Sequence, residues 1–387
     1  MKTPSILAAV AGLGGAVGST FAAGVCLPPG ELKHAGLVTE SPLVRAIGKQ
    51  LMSLDALAID GWDLRPTDLY TACCQHSICP DEVLRQAEPR LRAITPRPAV
   101  DLREDHIGTW IRREADHLRA RQEEEGFDHV MIINLCPTEP LSVQRDTSNI
   151  EWDQLERLGA AKAQSVSAVY FRLAIEARAH FINFTPNAVE TASLRSLAED
   201  ARLIYAGRDG KTGQTFIKTT LAPAFRDKNL HVDGWFSTNL LGNADGMSLA
   251  TTDAGKAKIL SKSRCLNSIL GYEPGGQQGF GHQVHIHYYP PRGDAKEAWD
   301  SIDFHGFLGV RMQMKINWLG QDSILAAPAV IDLVRIVTFA AEAGFYGPLD
   351  SASYFFKDPV VRSAAVPQHG VPEQFRMLLN FLQKGED

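Results

Sequence analysis

A run of glycines near the start of the chain has the spacing of a phosphate-binding turn. The stretch AGLGGAVGSTFAAG, residues 11–24, follows the apolar run SILAAV and arranges Gly12, Gly14, Gly15 and Gly18 as G-x-G-G-x-x-G. Glycines let a backbone approach a pyrophosphate closely, and the amide groups that open the next helix bind it. The spacing is one residue longer than the usual fingerprint, and the acidic residues nearest to the expected place about 20 positions on, Glu31 and Glu40, bracket it poorly. One interpretation of the stretch is therefore a strand, a dinucleotide-binding turn and a helix.

The same stretch also has the features of a secretory signal peptide. Lys2 precedes it, most of the residues between are apolar, and small residues stand before a plausible cleavage point. A plain helix of small residues is a third interpretation. The first two place the protein in different compartments, so the rest of the chain has to decide between them.

Lysines recur in the second half of the chain and are candidates for contact with an anion. Lys258 and Lys262 are four residues apart, so on a helix they share a face that meets either water or an anion. Lys296 follows in the sequence. Lys357 stands in YFFKDP, after two aromatic residues, which favours burial beside a pocket. A buried lysine has a lowered pKa and can transfer protons. A solvated charged face is the alternative.

The segment GRDGKTGQT, residues 207–215, resembles a P-loop but lacks one of its glycines. Tyr205 stands five residues before Gly210, where the motif requires glycine. The segment instead predicts a sharp turn after a strand. Such a turn would place Asp209 and Lys211 at the carboxyl edge of a parallel sheet, where ligands bind. A solvated charged loop is the alternative.

Two groups of side chains have the types that bind metals, without the spacing of a metal site. They are Cys73, Cys74, His76 and Cys79 in CCQHSIC, and His282, His285 and His287 in HQVHIHYY. A structural zinc site usually pairs two clusters, and no second cysteine cluster is present. His285 and His287 would share a face of a strand, which can hold a metal, but histidines on a strand are more often exposed or interfacial. The metal requirement is left open.

Bulk composition narrows the class of protein. The net charge of −6 disfavours nucleic-acid binding, and after the first 25 residues no apolar run approaches the roughly 18 residues that span a bilayer. Six cysteines are sparse for 387 residues and lack regular spacing. We therefore expect reduced thiols, a cytoplasmic protein, and no nucleic-acid or membrane partner.

Apolar runs and helical periods alternate through about residue 230, which predicts an α/β fold with a doubly wound parallel sheet of the Rossmann-like type. Strand-like segments with few helices follow, and a long buried helix begins after Asp322. The predicted division is a dinucleotide-binding domain over 1–235, an inserted α+β sheet-rich catalytic and oligomerisation domain over 236–316, and C-terminal helices over 317–387 that return to the first domain.

Several segments together resemble blocks of the inositol-phosphate synthase family, closest to its short archaeal and bacterial branch. The most specific are GRDGKTGQTFIKTTLAP, GWFSTNLLGNADGMSL and DSILAAPAVIDLV, and weaker ones are GLGGAVGST, GLVTESPL, DGWDLRPTDLY and FINFTPN. The resemblance covers nearly the whole chain. It implies that the glycine stretch is the cofactor turn and not a signal peptide. Two departures are Ala16 and Val17, where the family often has two asparagines, and INLCPTEP, which replaces a threonine–alanine–asparagine block.

Two sets of residues follow from the resemblance. The set implied to contact NAD is Gly12, Gly14, Gly15, Gly18, Ser19, Thr20, Asp63, Thr185, Asp209, Asn239 and Asp245. The set implied to be catalytic is Lys258, Lys262, Lys296, Lys357 and Asp322. Lys258 is implied to handle the proton of the C5 hydroxyl, and Lys357 to support the enolate and aldol oxygens. Lys262 and Lys296 are implied to hold the phosphate, and Asp322 to orient a lysine or bind a mono- or divalent cation.

The reaction that the resemblance implies is an isomerisation with internal redox. D-Glucose 6-phosphate is oxidised at C5, enolised at C6, closed onto its C1 aldehyde and reduced again, which gives 1D-myo-inositol 3-phosphate (also called myo-inositol 1-phosphate). The resemblance also implies a homotetramer formed through the inserted sheet. Two alternatives are an NAD-dependent sugar-phosphate dehydrogenase with net oxidation and a non-catalytic protein that binds NAD or a sugar phosphate.

Overall fold

Seven strands form the larger of two sheets. The structure, a computed structural model, describes residues 3–49, 51–103, 106–147, 149–154, 165–243, 246–247, 265–276, 281–362 and 367–385. The strands of the larger sheet pair in the order β11-β6-β5-β4-β1-β2-β3, and every pair is parallel. They are β1 (Ile6–Ala11), β2 (Leu57–Asp63), β3 (Arg97–Pro98), β4 (His129–Asn134), β5 (His180–Asn183), β6 (Ile204–Gly207) and β11 (Gly347–Pro348). This confirms the predicted Rossmann-like class.

Helices cover both faces of this sheet. In chain order the helices are α1 (Ala16–Val25), α2 (Pro42–Arg45), α3 (Leu69–His76), α4 (Asp81–Arg92), α5 (Ile107–Glu125), α6 (Leu141–Thr147), α7 (Val166–Ala177), α8 (Ala192–Asp200), α9 (Gln214–Asp227), α10 (described over 265–270), α11 (Asp322–Glu342) and α12 (Val371–Lys384). Every residue of β1 is buried, because Ile6, Ala8 and Val10 pack towards α1, α3, α4 and α11 while Leu7 and Ala9 pack towards α5, α7 and α8. Burial on both faces explains why the strand is apolar throughout.

The glycine stretch belongs to the centre of this sheet. Its first residue ends β1, the next four form the turn, and α1 follows. The signal-peptide interpretation of these residues is therefore wrong, since cleavage after residue 24 would remove the central strand and its helix.

The second sheet is a mixed sheet of four strands. Its strands are β7 (His231–Leu241), β8 (His282–Tyr288), β9 (Ala295–His305) and β10 (Arg311–Gln321), in the order β10-β9-β7-β8. α9 and α10 cover one face with an apolar cluster that contains Phe225, Trp235 and Ile302. The second sheet thus runs from His231 to Gln321, a few residues beyond the predicted 236–316 at both ends. The strand β9 was not predicted from the sequence, because its charged residues interrupt the apolar alternation.

The long helix α11 is buried, as the sequence predicts. By length and apolar composition alone it could cross a membrane, so the expectation that no segment after residue 25 is long and apolar enough for this is wrong. However, 67% of its most apolar window is buried inside the protein. Its side chains Val330, Ile331 and Val334 pack in the same apolar cluster as α1. A mostly buried apolar helix of this kind is typical of a protein core.

A buried carboxylate fixes α11 to the segment after α1. Asp332 accepts hydrogen bonds from the backbone N–H of Val38 at 2.7 Å, from the backbone N–H of Thr39 at 3.0 Å and from the Thr39 hydroxyl at 2.5 Å. One turn later Arg335 pairs with Glu40 at 2.5 Å. The two contacts set the position of α11 along its axis.

Asp332→Ala should destabilise the fold by about 2–4 kcal/mol, because two backbone donors would lose their acceptor in the interior. The measurement is urea unfolding at about pH 5, below the pKa of about 6 to which burial raises this carboxyl, because above it the folded state carries the cost of ionising the buried group. Glu342→Ala, at the exposed end of the same helix, is the control; it removes only an exposed contact with His129 and should change stability by less than about 1 kcal/mol. A loss below about 1 kcal/mol for Asp332→Ala would show that the anchor is unimportant.

Candidate active site

A cavity of about 350 Å³ lies at the carboxyl ends of β1, β4, β5 and β6. Ligands bind at this edge in open parallel sheets, because the strand ends and helix starts meet there. The second sheet and the start of α11 close the other side. The lining residues are Gly12, Gly15, Ala16, Val17, Gly18, Leu135, Cys136, Pro137, Thr138, Phe184, Thr185, Pro186, Asp209, Gly210, Thr212, Asn243, Lys296, Asp322, Ser323, Ala326 and Lys357.

The glycine turn packs too tightly for side chains. Gly12 has a φ of +86°, and a Cβ on Gly18 would lie 2.5 Å from the Gly12 carbonyl oxygen. Gly15 caps α1 without any side-chain hydrogen bond, so the first amide groups of the helix remain available to an anion. The geometry is that of a pyrophosphate site.

Asp63 stands at the end of β2, beside the turn. Its carboxylate accepts hydrogen bonds from the N–H of Gly14 at 2.9 Å and of Arg65 at 3.1 Å. In dinucleotide-binding folds an acidic residue near this place holds the adenosine ribose. The separation from Gly14 is 49 residues, far more than the offset of about 20 at which this acidic residue usually stands.

Ser19 and Thr20 face the helix and not the cavity. Both side chains are buried, and both hydroxyls donate to the carbonyl oxygen of Ala16, at 3.3 Å and 2.7 Å. The cavity wall here is formed by Ala16, Val17 and Gly18. The predicted contacts of these two hydroxyls with NAD thus compete with bonds inside α1.

Asparagines at the strand ends position Thr185. Asn134, the last residue of β4, donates to the Asn183 side chain at 3.2 Å, and the Thr185 hydroxyl donates to the same oxygen at 2.8 Å. Asn183 in turn donates to Glu190 at 2.7 Å. Thr185 lines the cavity, and its predicted contact with NAD stays a prediction. The asparagines were not predicted, although each follows a buried apolar run, a sequence signal for a polar group at a sheet edge.

A buried ion pair joins the turn after β6 to the segment before α12. The Lys357 ammonium donates to an Asp209 oxygen at 2.7 Å, and the two residues are only 9% and 4% exposed. Backbone bonds reinforce the pair, from Lys357 N–H to Asp209 at 2.8 Å and from Lys211 N–H to Phe355 at 2.8 Å. The prediction that Lys357 is buried at a pocket is confirmed.

A second pair lies across the cavity. Lys296, near the start of β9, donates to Asp322 at 3.1 Å, and the Thr212 hydroxyl donates to the same oxygen at 2.9 Å. Asp322 begins α11. The N-cap of α9, Gly213, lies beside Lys296, so the positive end of a second helix meets this pair.

Known proteins of similar sequence point to one enzyme family. A family model described as myo-inositol-1-phosphate synthase matches residues 213–323. An inositol-3-phosphate synthase 1 from Bacteroides thetaiotaomicron is 33% identical over 406 aligned positions, which cover 97% of this chain and 94% of that protein. The chain belongs to the inositol-3-phosphate synthase family.

More distant relatives also match this chain over most of its length. The inositol-3-phosphate synthase of Saccharomyces cerevisiae is 25% identical, over 86% of this chain and 71% of that protein. The crystal structure of the Caenorhabditis elegans inositol-3-phosphate synthase has a TM-score of 0.88 at 21% identity, over 99% of this chain and 86% of that chain. A myo-inositol-1-phosphate synthase-related protein from Thermotoga maritima has a TM-score of 0.68 at 23% identity, over 97% and 98%. These two structures show the shared fold.

Gly14, Ser19, Thr20 and Asp63, predicted from the synthase family, do not line the cavity itself. Four further predicted residues lie away from its lining or outside the described residues. Asn239 is buried in β7, where its amide donates to Gln214 at 2.8 Å, and its neighbour in the motif, Asn243, lines the cavity instead. Lys258, Lys262 and Asp245 lie outside the described residues.

The histidine and cysteine clusters do not come together as a metal centre in the described parts of the chain. His282 contacts the buried Lys218 ammonium at 2.7 Å, and burial lowers the pKa of Lys218 to about 8. The His285 and His287 rings stack 6.4 Å apart on the partly exposed strand β8. All six cysteines are free.

Lys211 lies behind the Lys357–Asp209 pair. Its ammonium donates to Gln374 of α12 at 2.5 Å. Burial, with a smaller contribution from the nearby Lys357 charge, lowers the pKa of Lys211 from 10.5 to about 7. The group therefore titrates near neutrality, in the layer behind the cavity lining.

Lys211→Met should change how stability depends on pH. Between about pH 7 and pH 10.5 the folded state binds fewer protons at Lys211 than the unfolded chain does, so this group makes wild-type stability rise with pH. The unfolding free energy of wild type minus that of Lys211→Met should therefore increase across this range. Urea unfolding at several pH values measures it, and Lys218 cancels because both proteins contain it.

Lys211→Arg is the matched variant. Its guanidinium cannot lose its proton, so it should be less stable than wild type at every pH in the range. A difference between wild type and Lys211→Met that does not vary with pH would contradict the lowered pKa.

Proposed function

We propose that this chain is an inositol-3-phosphate synthase that converts D-glucose 6-phosphate to 1D-myo-inositol 3-phosphate, with NAD as a catalyst that is regenerated in each cycle. One observation carries the proposal: the cofactor turn of the larger sheet and two lysine–carboxylate pairs line the same cavity. The sequence relationship over nearly the whole chain supports it.

The residues at the turn fit NAD. The open start of α1 offers amide groups to a pyrophosphate, and Gly12 and Gly18 leave no room for side chains that would block it. Asp63 stands where a ribose hydroxyl would donate to it. When bound, NAD accepts a hydride from C5 and returns it to C5 later in the cycle.

Lys357 is suited to stabilise negative charge on oxygen. The enolate and the aldol oxygen both develop such charge, and a fixed ammonium in a site that excludes water stabilises it. Asp209 holds the ammonium at 2.7 Å, which spares the reaction the cost of orienting it. Removal and return of the C5 hydroxyl proton is assigned to Lys258, by the family resemblance.

Lys296 and the start of α9 are suited to the substrate phosphate. Lys296 lies beside Gly213, the N-cap of α9, and a cationic side chain and a helix N-terminus favour the same anion. Lys262 is assigned to this site by the family resemblance. Asp322, bonded to Lys296 and Thr212, orients the lysine in this proposal. Its alternative role, binding a mono- or divalent cation, predicts that activity depends on added cation, whereas the lysine role predicts no dependence.

We also propose a homotetramer that works in the cytoplasm. The face of the second sheet opposite α9 exposes Phe236 by 47% and Trp299 by 52%, and the edge strand β10 exposes Leu319 by 59%. Apolar groups clustered on one face favour contact with another copy. The six free cysteines are consistent with a reducing compartment.

Product analysis tests the reaction. Glucose 6-phosphate with a small molar fraction of NAD should give inositol phosphate in many-fold excess over the NAD, with no accumulation of NADH, because the cycle returns the hydride. Phosphorus NMR identifies the product and absorbance follows NADH. Stoichiometric NADH would instead show a dehydrogenase, and NAD binding without turnover would show a non-catalytic homologue.

Lys357→Met should lower kcat by about 10²–10³-fold, because one preorganised positive charge at the reacting oxygens is lost. Asp209→Asn should lower kcat less, since the ammonium remains but is poorly held. Lys228→Met, which removes an exposed lysine at the end of α9, is the control and should retain full activity. Circular dichroism and NAD titration confirm folding. An unchanged kcat in folded Lys357→Met would contradict the role assigned to Lys357.

A further inference from the structure

A pair of thiols lies under the cofactor helix, outside the cavity. Cys73 belongs to the last turns of α3, which ends at Ser77 in the left-handed conformation with a φ of +53°. The Ser77 N–H donates to the Cys73 carbonyl at 3.0 Å. This reversal brings Cys79 back against the helix, close enough for its thiol to interact with the thiol of Cys73.

Both sulfurs also contact α1 at consecutive residues. The Cys73 thiol donates to the carbonyl oxygen of Ser19 at 3.3 Å, and the Cys79 sulfur lies 4.0 Å from the Thr20 hydroxyl oxygen. Both thiols therefore touch the helix that directly follows the glycine turn. Between the two cysteines, His76 reaches the same turn, 2.9 Å from the Gly14 carbonyl oxygen.

The two thiols have unequal environments. Cys73 is only 2% exposed, whereas Cys79 is partly exposed and can be reached by a solute. The interaction between the two thiols, with burial, raises the pKa of Cys73, and the same interaction lowers the pKa of Cys79. The thiolate is the reactive form of cysteine, and the oxidant must be able to reach it. Because Cys79 is the more exposed of the two, it is suited to attack, and Cys73 to resolve.

We propose that Cys79 and Cys73 form a redox site that a hydroperoxide oxidises to an intramolecular disulfide. The Cys79 thiolate attacks one peroxide oxygen, the O–O bond breaks, and the leaving oxygen takes the proton released by Cys79. This leaves a sulfenic acid on Cys79. The Cys73 sulfur then attacks the Cys79 sulfur, the S–O bond breaks, and hydroxide leaves with the Cys73 proton as water. The two thiols lose two electrons and the peroxide gains them.

Oxidation would change the contact of Cys73 with α1. In the disulfide the Cys73 sulfur has no proton to donate to the Ser19 carbonyl, and it must move towards Cys79 to form the bond. The oxidised protein should therefore bind NAD more weakly than the reduced protein. This consequence rests on the proposed function, whereas formation of the disulfide does not.

Intact-mass and peptide mapping after treatment with hydrogen peroxide test the site. The expected result is a loss of two hydrogen atoms, a peptide cross-link between Cys73 and Cys79, and full reversal by dithiothreitol. Cys79→Ser should slow the reaction at least about tenfold, and Cys73→Ser should stop at the sulfenic acid, which dimedone traps. Cys74→Ser removes the exposed neighbour on α3 and is the matched control, with less than about a twofold change.

The folded wild-type protein alone can contradict the proposed redox site. Either the absence of a cross-link or a cross-link through Cys74 would do so. NAD titration of the reduced and oxidised wild-type protein tests the link to α1, and equal affinities overturn that link. If the reduced protein binds no NAD, the proposed function fails, but the mass measurement still decides the redox site.

Discussion

Opposite charges buried together constrain the architecture around the cavity. An ammonium removed from water without a partner would lose its proton or destabilise the fold, so Lys357 requires Asp209 at hydrogen-bonding distance. Asp209 comes from the turn after β6 and Lys357 from the segment before α12, 148 residues later. Keeping them paired forces the C-terminal part of the chain onto the strand ends. The backbone bridge between the two segments, and the contact of Lys211 with Gln374 on α12, reinforce the same closure.

The second sheet supplies the other half of the site through a different buried carboxylate. Asp300 on β9 accepts hydrogen bonds from the Trp235 indole at 2.7 Å, the Ser237 hydroxyl at 2.6 Å and the Gln214 amide at 3.2 Å. Gln214 is the first residue of α9, so the network holds the helix start against the sheet. Lys296 lies four residues earlier on the same strand. A network whose donors are satisfied in the interior is rigid, and here it fixes the spacing between Lys296 and the start of α9.

The parts of the fold that depend on local pattern were predictable from the sequence, and the parts that depend on distant partners were not. The apolar runs of β1 and β4 and the length of α11 identify buried strands and a buried helix, because burial on all sides requires apolar residues. β9 was not predicted because a carboxylate such as Asp300 is not expected in a buried strand. Asp300 can be buried because it accepts hydrogen bonds from donors on other elements. The bond between Lys211 and Gln374 spans 163 residues, and no spacing rule reaches that far. Asn239 was placed by resemblance to a motif, and a motif does not say which of its side chains points to the ligand.

The departures at Ala16 and Val17 are compatible with a cofactor turn for a related reason. Both line the cavity at the first turn of α1, where the amide groups and not the side chains meet an anion. The tight packing is set by Gly12 and Gly18, which this chain retains. Two apolar side chains there remove hydrogen bonds that asparagines would add, but they leave the backbone donors and the helix dipole in place. The turn therefore depends mainly on glycine spacing, and the side chains between the glycines can vary more freely than the glycines themselves.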